Sequence, residues 1–575
     1  MVEKFDFIIV GSGSAGCVLA NRLSKDPNNT VLLLESGGWD YSPWIHVPLG
    51  YGKHFENPKV NWMYHSEPEI ETGNRKIFQP RGKVMGGSSS INGLVYIRGQ
   101  AEDYDKWDPQ KKYGWDYQSV LPYFRKSEHN HNIDNKFHGQ NGELSVSSAV
   151  DRHVLADAFV ESGVKSGYKL NKDFNGESQE GFGHLQMTIN KGVRSSASNA
   201  FIRKIKGRKN LTICTRFHVN RVLFDGKVAS GVEGVKKKRL LKYYANKEVI
   251  LSAGAFNSPQ ILQLSGIGPK DLLERFNVNI VSALDGVGKN LQDHYNGRII
   301  YKTSSNNTLN DVLKSPIKSI KEGFRYIFLK RGFLNMGSSV SAGFIKSKQS
   351  IKTPDLHISL ILFSGDKAGS KLHKWSGFSI IIRLLRPKSV GSLKIKSRDP
   401  FTQPEITMKY FTHKDDRTKL VDAMKISREI MKSDPIKNYI LEEFSPGNDI
   451  TSDKSLEDFL SDKGGISYHP VGTCKMGDDK DAVVDFNLKV MGVQNLRVVD
   501  ASIMPSITSG NTNAPVMMIA EKAADIILDN RSLREKPLTT NEAFHRARLV
   551  MLKARQERKK NVKSVMDKYK KDTKK

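Results

Sequence analysis

The most informative spacing in the chain belongs to three glycines and one acid near the N-terminus. Gly11, Gly13 and Gly16 form a G-x-G-x-x-G pattern, and Glu35 follows nineteen residues after the last glycine. In such a pattern the first glycine makes a tight turn, the second lets a pyrophosphate approach the backbone, and the third lets a helix pack close to a strand. The acid can accept hydrogen bonds from an adenosine ribose. The pattern predicts a dinucleotide site and does not choose between NAD and FAD.

The elements that would hold these residues are recognisable on either side. An apolar strand at residues 5–10 runs into the glycines, a helix-like segment follows at 17–23, and a second apolar strand at 30–34 ends on Glu35. This succession is a complete βαβ unit. The helix N-terminus would offer free N–H groups and a positive dipole to the phosphates.

A second segment rich in small residues spans Pro80 to Gly93 and is dense in glycine and serine. Such a segment lets the backbone lie flat against a planar or phosphate-bearing ligand. Its composition alone also fits a flexible loop. Its position after the dinucleotide unit favours a second contact with the cofactor.

The middle of the chain changes to a period of two. Residues 211–214, 219–224 and 231–235 predict short antiparallel strands, and residues 248–255 predict a buried strand. A helix is expected at 258–265, with Pro259 in its first turn, and an apolar helix at 516–528. Residues 312–333 form a basic amphipathic stretch that fits a lid, a surface helix or a membrane-facing patch.

Composition narrows the class of protein. The chain has 575 residues, a net charge of +29 and three cysteines, which argues against a disulfide framework. No run of about eighteen apolar residues occurs, so no transmembrane helix is expected, and no signal peptide is expected before the first strand. The charge fits a negatively charged partner, but we favour a lysine-rich solvated surface as its explanation. We expect a cytoplasmic protein that binds no metal and no nucleic acid.

Several motifs together resemble one family, the glucose–methanol–choline (GMC) flavoprotein oxidoreductases. They are the glycine fingerprint with Glu35, residues 81–92 continuing through 96–99, residues 254–268, His469-Pro470 and Asn513-Ala514-Pro515. The resemblance spans about residues 5 to 529 and is strongest to the choline dehydrogenase-like and alcohol dehydrogenase-like branch.

The resemblance implies an α/β fold in which a Rossmann-like FAD-binding domain interleaves with a substrate-binding domain built on an antiparallel sheet. The expected FAD-binding segments are 1–40, 80–130, 205–300 and 465–530, and the substrate-binding segments are 41–79, 131–204 and 301–464. A basic tail remains at 531–575. By matching position, the resemblance implies that FAD is bound by Gly11, Ser12, Gly13, Ser14, Ala15, Gly16, Glu35, Met85, Gly87, Ser88, Asn92, Gly93, Leu94, Val95, Val219, Asp500, Ala501, Asn511 and Thr512.

Two features of this sequence bear on cofactor attachment and substrate. Some members of the family attach FAD covalently through a histidine in the glycine–serine segment, where this chain has Ile91. We therefore expect non-covalent FAD. A choline site needs a carboxylate and aromatic rings around the ammonium. Residues 335–343, a stretch that could supply such a carboxylate, contain no acid.

The resemblance also implies a reaction. His469 would accept the hydroxyl proton of a primary alcohol, choline-like or aliphatic, because a histidine can be neutral and basic near neutral pH. Asn513 would orient the same oxygen, and the hydride would pass to flavin N5. His218, His294 and His545 are expected to be structural.

The fate of the electrons is open. We expect a quinone or another carrier to receive them. The alternatives are an oxidase that produces hydrogen peroxide and an FAD-containing lyase on the same fold. The basic tail is expected to be solvated or to make peripheral contact with the inner face of a membrane, and the sequence does not indicate an oligomeric state.

Overall fold

The computed structural model describes residues 3–367 and 369–529. Residues Met1–Ala524 form one compact unit. This unit contains two seven-stranded sheets and a large cavity. The basic tail predicted at 531–575 lies outside the described residues.

The first large sheet has seven strands, and the predicted βαβ unit is at its centre. Lys4–Val10 pairs in parallel with Val31–Glu35 on one side and with Arg239–Leu251 on the other. Ile8, Ile9 and Leu33 are fully buried, as expected of parallel strands that are covered on both faces. The strands, in spatial order, are Leu211–Thr215, Val31–Glu35, Lys4–Val10, Arg239–Leu251, Val228–Lys236 and His218–Asp225, with Leu496–Val498 also paired to Arg239–Leu251.

Two predictions in this region are wrong in detail. Leu211–Thr215 pairs in parallel with Val31–Glu35 instead of joining an antiparallel set, because it extends the dinucleotide sheet at its edge. The next strands, His218–Asp225 and Val228–Lys236, are antiparallel as predicted. The helix with Pro259 begins earlier than predicted, at Gly254, so that the proline lies inside it.

The second large sheet is antiparallel and also has seven strands. Its central strand Gly377–Leu384 is buried along its whole length. Helices pack against one face, where a side chain at Gly297 would collide with Leu460. The strands are Gly181–His184, Tyr295–Thr303, Ser341–Ile345, Leu356–Ile361, Gly377–Leu384, Ile440–Ser445 and Gly465–Ile466.

The opposite face of this sheet carries polar side chains. Asn296 stands across from Arg383, and Arg298 stands across from Ile381. His357 on the next strand also pairs with Arg383. Because alternate residues of a strand share a face, these side chains form one surface, and all five line the cavity.

The remaining elements are shorter or connect the sheets. The α-helices are Ser14–Leu23, Pro43–His46, Ala101–Asp105, Tyr117–Ser127, Val154–Lys165, Gly254–Leu264, Lys270–Arg275, Leu309–Lys314, Pro316–Leu329, Lys414–Met431, Asp453–Lys463 and Asn513–Ile527. Short helical turns of other types are Pro48–Lys53, Ile70–Thr72, Gly87–Ser90, Ser198–Ile202, Phe333–Asn335, Ile436–Tyr439 and Ala501–Ile503. Minor strands are Tyr64–His65, Phe78–Gln79, Glu128–Asn130, Leu144–Ser148, Gln186–Met187, Ile189–Asn190, Val193–Arg194, Ile267–Gly268, Ser282–Ala283, Ser392–Lys394 and Glu405–Thr407.

Candidate active site

A cavity of about 1780 Å³ collects residues that are distant in sequence. It is large enough for a dinucleotide and a small substrate, since cofactor and ligand pockets commonly measure about 300 to 1,000 Å³. The predicted site residues that line it are Gly11, Gly13, Ser14, Ala15, Glu35, Gly87, Ser88, Asn92, Gly93, Leu94, Val95, Val219, His469, Asp500, Ala501, Asn511, Thr512 and Asn513. Ser12, Gly16 and Met85 are buried and do not line it.

Glu35 supports the glycine turn from the end of the second strand. Its Oε2 accepts hydrogen bonds from the Ser12 backbone N–H at 3.0 Å and from the Ser12 hydroxyl at 2.8 Å, and its Oε1 accepts one from the Gly37 N–H at 2.7 Å. Burial raises the pKa of this carboxyl, and the hydrogen bonds oppose that rise. Ser12 therefore belongs to the site through Glu35, behind the surface of the cavity.

The glycines of the fingerprint have different roles. A Cβ at Gly16 would lie 1.8 Å from the Gly11 carbonyl oxygen, and a Cβ at Gly87 would lie 2.7 Å from the Gly13 Cα. Both positions therefore need glycine for protein packing. A Cβ at Gly13 would meet nothing nearer than 3.9 Å, so the protein itself leaves that space open toward the cavity. This cradle fits a pyrophosphate that lies against the backbone.

His469 is held in place by the buried carboxyl of Asp293. The His469 backbone N–H donates to Asp293 Oδ1 at 2.7 Å, and the Tyr410 hydroxyl donates to Asp293 Oδ2 at 2.7 Å. The preceding residue, Tyr468, has a φ of 64°, which is uncommon for a residue with a side chain. Its carbonyl accepts a hydrogen bond from Arg81 at 2.8 Å. The backbone that leads into the histidine is thus fixed.

A chain of hydrogen bonds determines which ring nitrogen of His469 carries the proton. His294 Nε2 lies 3.0 Å from the Leu385 carbonyl oxygen, which can only accept, so this nitrogen must carry hydrogen. In a neutral ring, His294 Nδ1 is then an acceptor. It lies 3.0 Å from His469 Nδ1, which must therefore donate. His469 Nε2 therefore carries no hydrogen and keeps a lone pair that can accept one.

Electrostatics keep both rings neutral. Burial lowers the pKa of His294 to about 3. Burial, followed by the nearby His294, Arg383 and Arg81, holds the pKa of His469 well below its usual range. Because a histidine acts as a base only when it is neutral, these surroundings favour the form of His469 that can accept a proton.

Asn511, and not Asn513, contacts His469 Nε2. Its Nδ2 donates to His469 Nε2 at 2.9 Å, while its Oδ1 is buried and has no hydrogen-bond partner among the described residues. Asn513 begins its helix, and its Oδ1 accepts a hydrogen bond from the Ser14 hydroxyl at 2.7 Å. The catalytic role of Asn513 stays a prediction, and the geometry favours Asn511 for it.

Sequence reasoning missed three polar residues of the site. His294 was expected to be structural, but it contacts His469 directly. Arg298 and Arg383 line the cavity. The only signal in the sequence was an arginine that follows three consecutive isoleucines in the strand Gly377–Leu384, a position where a buried charge needs an explanation.

Residues 3–367 and 369–529 contain neither a metal-binding cluster nor a membrane-spanning helix. In that part of the chain, no group of three or more His, Cys, Asp or Glu residues is arranged to hold a metal ion. No helix there combines the length and apolar character needed to cross a bilayer.

Comparison with known families matches two long stretches of this chain. Two family models match it, both described as GMC oxidoreductase, over residues 5–296 and 387–520. Mitochondrial choline dehydrogenase of Mus musculus is 40% identical, with 93% of this chain and 91% of the relative covered. The alcohol dehydrogenase [acceptor] of Pseudomonas putida is also 40% identical, with 91% of this chain and 96% of that relative covered.

Solved structures show the same fold. Pyridoxine 4-oxidase from Mesorbium loti aligns with a TM-score of 0.82 and 30% identity, covering 90% of this chain and 98% of the other. A variant of formate oxidase from Aspergillus oryzae, studied for its FAD modification, aligns with a TM-score of 0.85 and 27% identity, covering 92% of this chain and 99% of the other.

Proposed function

The chain belongs to the GMC oxidoreductase family and is an FAD-dependent enzyme of CH–OH donors, and we propose that it oxidises a primary alcohol to an aldehyde with His469 as the base. The observation that carries this proposal is the lone pair on His469 Nε2, which the hydrogen-bond chain through His294 and Leu385 maintains. This nitrogen lies in the same cavity as the glycine cradle.

The proton is the part of the chemistry that the chain's own residues perform. The alcohol hydroxyl would donate to His469 Nε2, and that nitrogen would take the proton as the carbonyl forms. Asn511 Nδ2 donates to that nitrogen in this structure, so the alcohol hydroxyl would replace it there, and the amide Nδ2 would then donate to the alcohol oxygen and orient it. Taking up the proton would give His469 a positive charge. Asp293, which accepts a hydrogen bond from the His469 backbone N–H, would help to balance that charge.

FAD, when bound, supplies the acceptor for the hydride that leaves the alcohol carbon. The cradle at Gly13 and Gly87, the Glu35 region and Val219 would hold its nucleotide part. Asn92 to Val95, Asp500, Ala501, Asn511 and Thr512 would hold the rest. Ile91 lines the cavity at the place where a histidine could attach the flavin, so we propose that FAD is not covalently attached. Acid precipitation should release all yellow colour to the supernatant, and colour kept in the pellet would contradict this.

The experiment that tests the proposed function is anaerobic mixing of the holoenzyme with a panel of primary alcohols. Loss of flavin absorbance together with an aldehyde product supports it. Breakdown of a cyanohydrin without any flavin bleaching would instead support the lyase alternative.

The electron acceptor needs a separate measurement. We propose a quinone or another carrier, in keeping with an acceptor-linked relative such as the Pseudomonas putida alcohol dehydrogenase [acceptor]. Turnover with a quinone analogue should exceed hydrogen peroxide production in air. Stoichiometric hydrogen peroxide at full rate would show the oxidase alternative instead. The cytoplasmic location and the membrane contact through residues 531–575 stay predictions.

A further inference from the structure

The substrate face of the cavity carries positive charge without a matching carboxylate. Arg383 is 9% exposed, and burial lowers its pKa only to about 10, so it is charged at neutral pH. Its Nε has no hydrogen-bond partner among the described residues, and its Nη2 reaches only the Ser359 hydroxyl at 3.3 Å. A buried guanidinium nitrogen without a partner is costly.

Arg298 stands on the same face, beside the strand that carries Arg383. Its Nη1 donates to the Gly365 carbonyl at 2.9 Å. Among the described residues, neither arginine forms a salt bridge within 4.0 Å, and Asp293 and Asp366 act on Arg383 and Arg298 from longer distances. The buried acid that interacts with Arg383 is Asp293, and its oxygens already accept from Tyr410 and from backbone N–H groups.

None of the carboxylates that line the cavity is within salt-bridge distance of either arginine among the described residues. Glu35 and Asp500 hold the backbone of the cofactor segments through Ser12 and Gly254. Glu56 and Asp366 are exposed, and Asp366 is paired with His373 at 3.1 Å and acts on Arg298 only from a longer distance. The face with the two arginines therefore presents guanidinium donors, and a quaternary ammonium would meet like charge there.

From these contacts we infer that the substrate is an alcohol that carries an anionic group, a carboxylate or a sulfonate, which Arg383 and Arg298 bind while His469 takes the hydroxyl proton. This inference rests on the proposed function. Guanidinium groups bind planar or multi-oxygen anions with charge-assisted hydrogen bonds, and the free Arg383 Nε would gain its missing partner.

The test compares alcohols that share one hydroxyethyl group and differ in charge. Isethionate and hydracrylate are anionic, ethylene glycol is neutral and choline is cationic. Each is mixed anaerobically with the holoenzyme, and the concentration dependence of flavin reduction is measured. The two anionic alcohols distinguish sulfonate from carboxylate. We expect at least one of them to exceed ethylene glycol and choline by about tenfold or more in apparent affinity.

Variants show whether the arginines cause this preference. R383M should lower the affinity for the anionic alcohol, relative to the affinity for ethylene glycol, by about tenfold. K388M, which removes an exposed charge outside the cavity, is the matched control and should change neither. Equal or better reduction by ethylene glycol or choline would overturn the inference, as would an R383M variant that keeps the anion preference.

A binding measurement separates this inference from the proposed function. Ethanesulfonate and propionate lack the reactive hydroxyl but keep the anionic group. Their binding, followed as a perturbation of the flavin absorbance, should be tight in the wild type and weakened in R383M even if no alcohol reduces the flavin. In that case the proposed function fails and the anion site stands. Flavin reduction by a neutral alcohol without anion binding would mean that the proposed function stands and the anion site fails.

A different observation concerns the outer surface of the helix Pro316–Leu329. Ile317 and Phe328 are 78% and 72% exposed. The other exposed apolar side chains on this stripe are Ile320, Phe324 and Ile327, with Leu313 from the helix before it. Their spacing of three and four residues places them on one side of the helix, away from the buried Tyr326, whose hydroxyl donates to the Gly192 carbonyl at 2.9 Å.

Charges beside this stripe are positive. Lys314, Lys318 and Lys321 are exposed, whereas the helix's acid, Glu322, is turned inward, where it accepts a hydrogen bond from the Phe333 N–H at 3.0 Å. Protein–protein interfaces are depleted in lysine, while helices with an apolar face flanked by lysines bind anionic lipid surfaces. Leu313 and Lys314 also line the cavity.

We propose that this helix docks on a bilayer that contains anionic lipid, with the cavity opening toward that surface.

The full-length holoenzyme should sediment with vesicles of phosphatidylglycerol and phosphatidylcholine and less with phosphatidylcholine alone. The double variant F324S and F328S should bind several-fold more weakly, while L441S, which replaces an exposed leucine elsewhere, should bind like the wild type. Unchanged binding by the double variant would assign the contact to another segment. A wild-type dimer that the double variant dissociates would assign the stripe to self-association. Either result overturns the proposal.

Discussion

Two buried clusters of charge in this protein differ in how completely their groups are paired. In the first, Arg98 donates to the Tyr96 hydroxyl at 3.2 Å, to the Phe137 carbonyl at 2.6 Å and to Glu128 at 2.6 Å. Glu128 also lies 2.9 Å from His138. Nothing in this cluster lines the cavity.

The second cluster surrounds His469, the proposed base, and is incompletely paired. Arg383 has a free Nε, and Asn511 has a free Oδ1. Both residues line the cavity. Buried polar groups are normally satisfied, so the difference has a physical meaning: the paired cluster stabilises the fold, and the unpaired one is arranged for ligands. Substitutions in the paired cluster should therefore lower stability, and substitutions in the unpaired cluster should lower the rate of flavin reduction.

The largest effect is expected at His469. H469A removes the base and should slow anaerobic flavin reduction by about 10²- to 10⁴-fold. FAD content and the unfolding midpoint should remain close to those of the wild type, because among the described residues the His469 side chain hydrogen-bonds only to His294 and Asn511. Near-normal reduction in H469A would remove this residue from the mechanism.

The paired cluster should show the reverse behaviour. R98M leaves the fully buried Glu128 without its arginine, and breaking a buried pair in this way costs about 3–5 kcal/mol. Urea unfolding of the holoenzyme measures this loss. The rate of flavin reduction per folded molecule should be unchanged. K388M, which breaks an exposed pair with Asp415, is the control and should leave the midpoint where it is. An R98M enzyme with normal stability but slow flavin reduction would contradict the proposed difference between the clusters.

His294 is a positioning residue, and its effect should be intermediate. H294A removes the acceptor for His469 Nδ1 and releases the tautomer, so that flavin reduction should slow by about tenfold to hundredfold. H294N keeps an amide oxygen near the position of the ring Nδ1 and should recover part of the rate. Equal rates for H294A and H294N would indicate a purely steric role.

The smallest effect concerns pH. The charge of Arg383 helps to lower the pKa of His469, and the base is active only when it is unprotonated. R383M removes a positive neighbour, so the pKa of His469 should rise and the acid-side loss of rate should begin at a higher pH than in the wild type. Flavin reduction by ethylene glycol across a pH series measures this without an anionic substrate. A shift to lower pH would contradict the assigned electrostatics.

Sequence alone located the cofactor cradle better than the catalytic surroundings. The fingerprint could be predicted because Gly11 to Glu35 form one local unit whose function depends on short spacings. The His294–His469 contact joins residues 175 positions apart, and no local sequence pattern predicts it. Asn511 and Asn513 are both asparagines in one short turn, and only the backbone geometry decides that Asn511 points at the histidine.

The parallel pairing of Leu211–Thr215 escaped prediction for a similar reason. Its alternation predicts a strand, but a period of two does not say which strand will be the neighbour. The arginines on the substrate face were missed because an isolated arginine in a strand is uninformative until the facing strand is known. Arg383 and Arg298 become a pair only through the antiparallel register of their two strands.

The most direct test of the central claim, that His294 and His469 act as one unit in which His469 is the base, is a double-mutant cycle in anaerobic flavin reduction. H294A, H469A and the double variant are compared with the wild type under the same alcohol concentration. Since His294 would act only through His469, H294A should cost nothing further once His469 is absent. An equal slowing by H294A in both backgrounds would contradict the account.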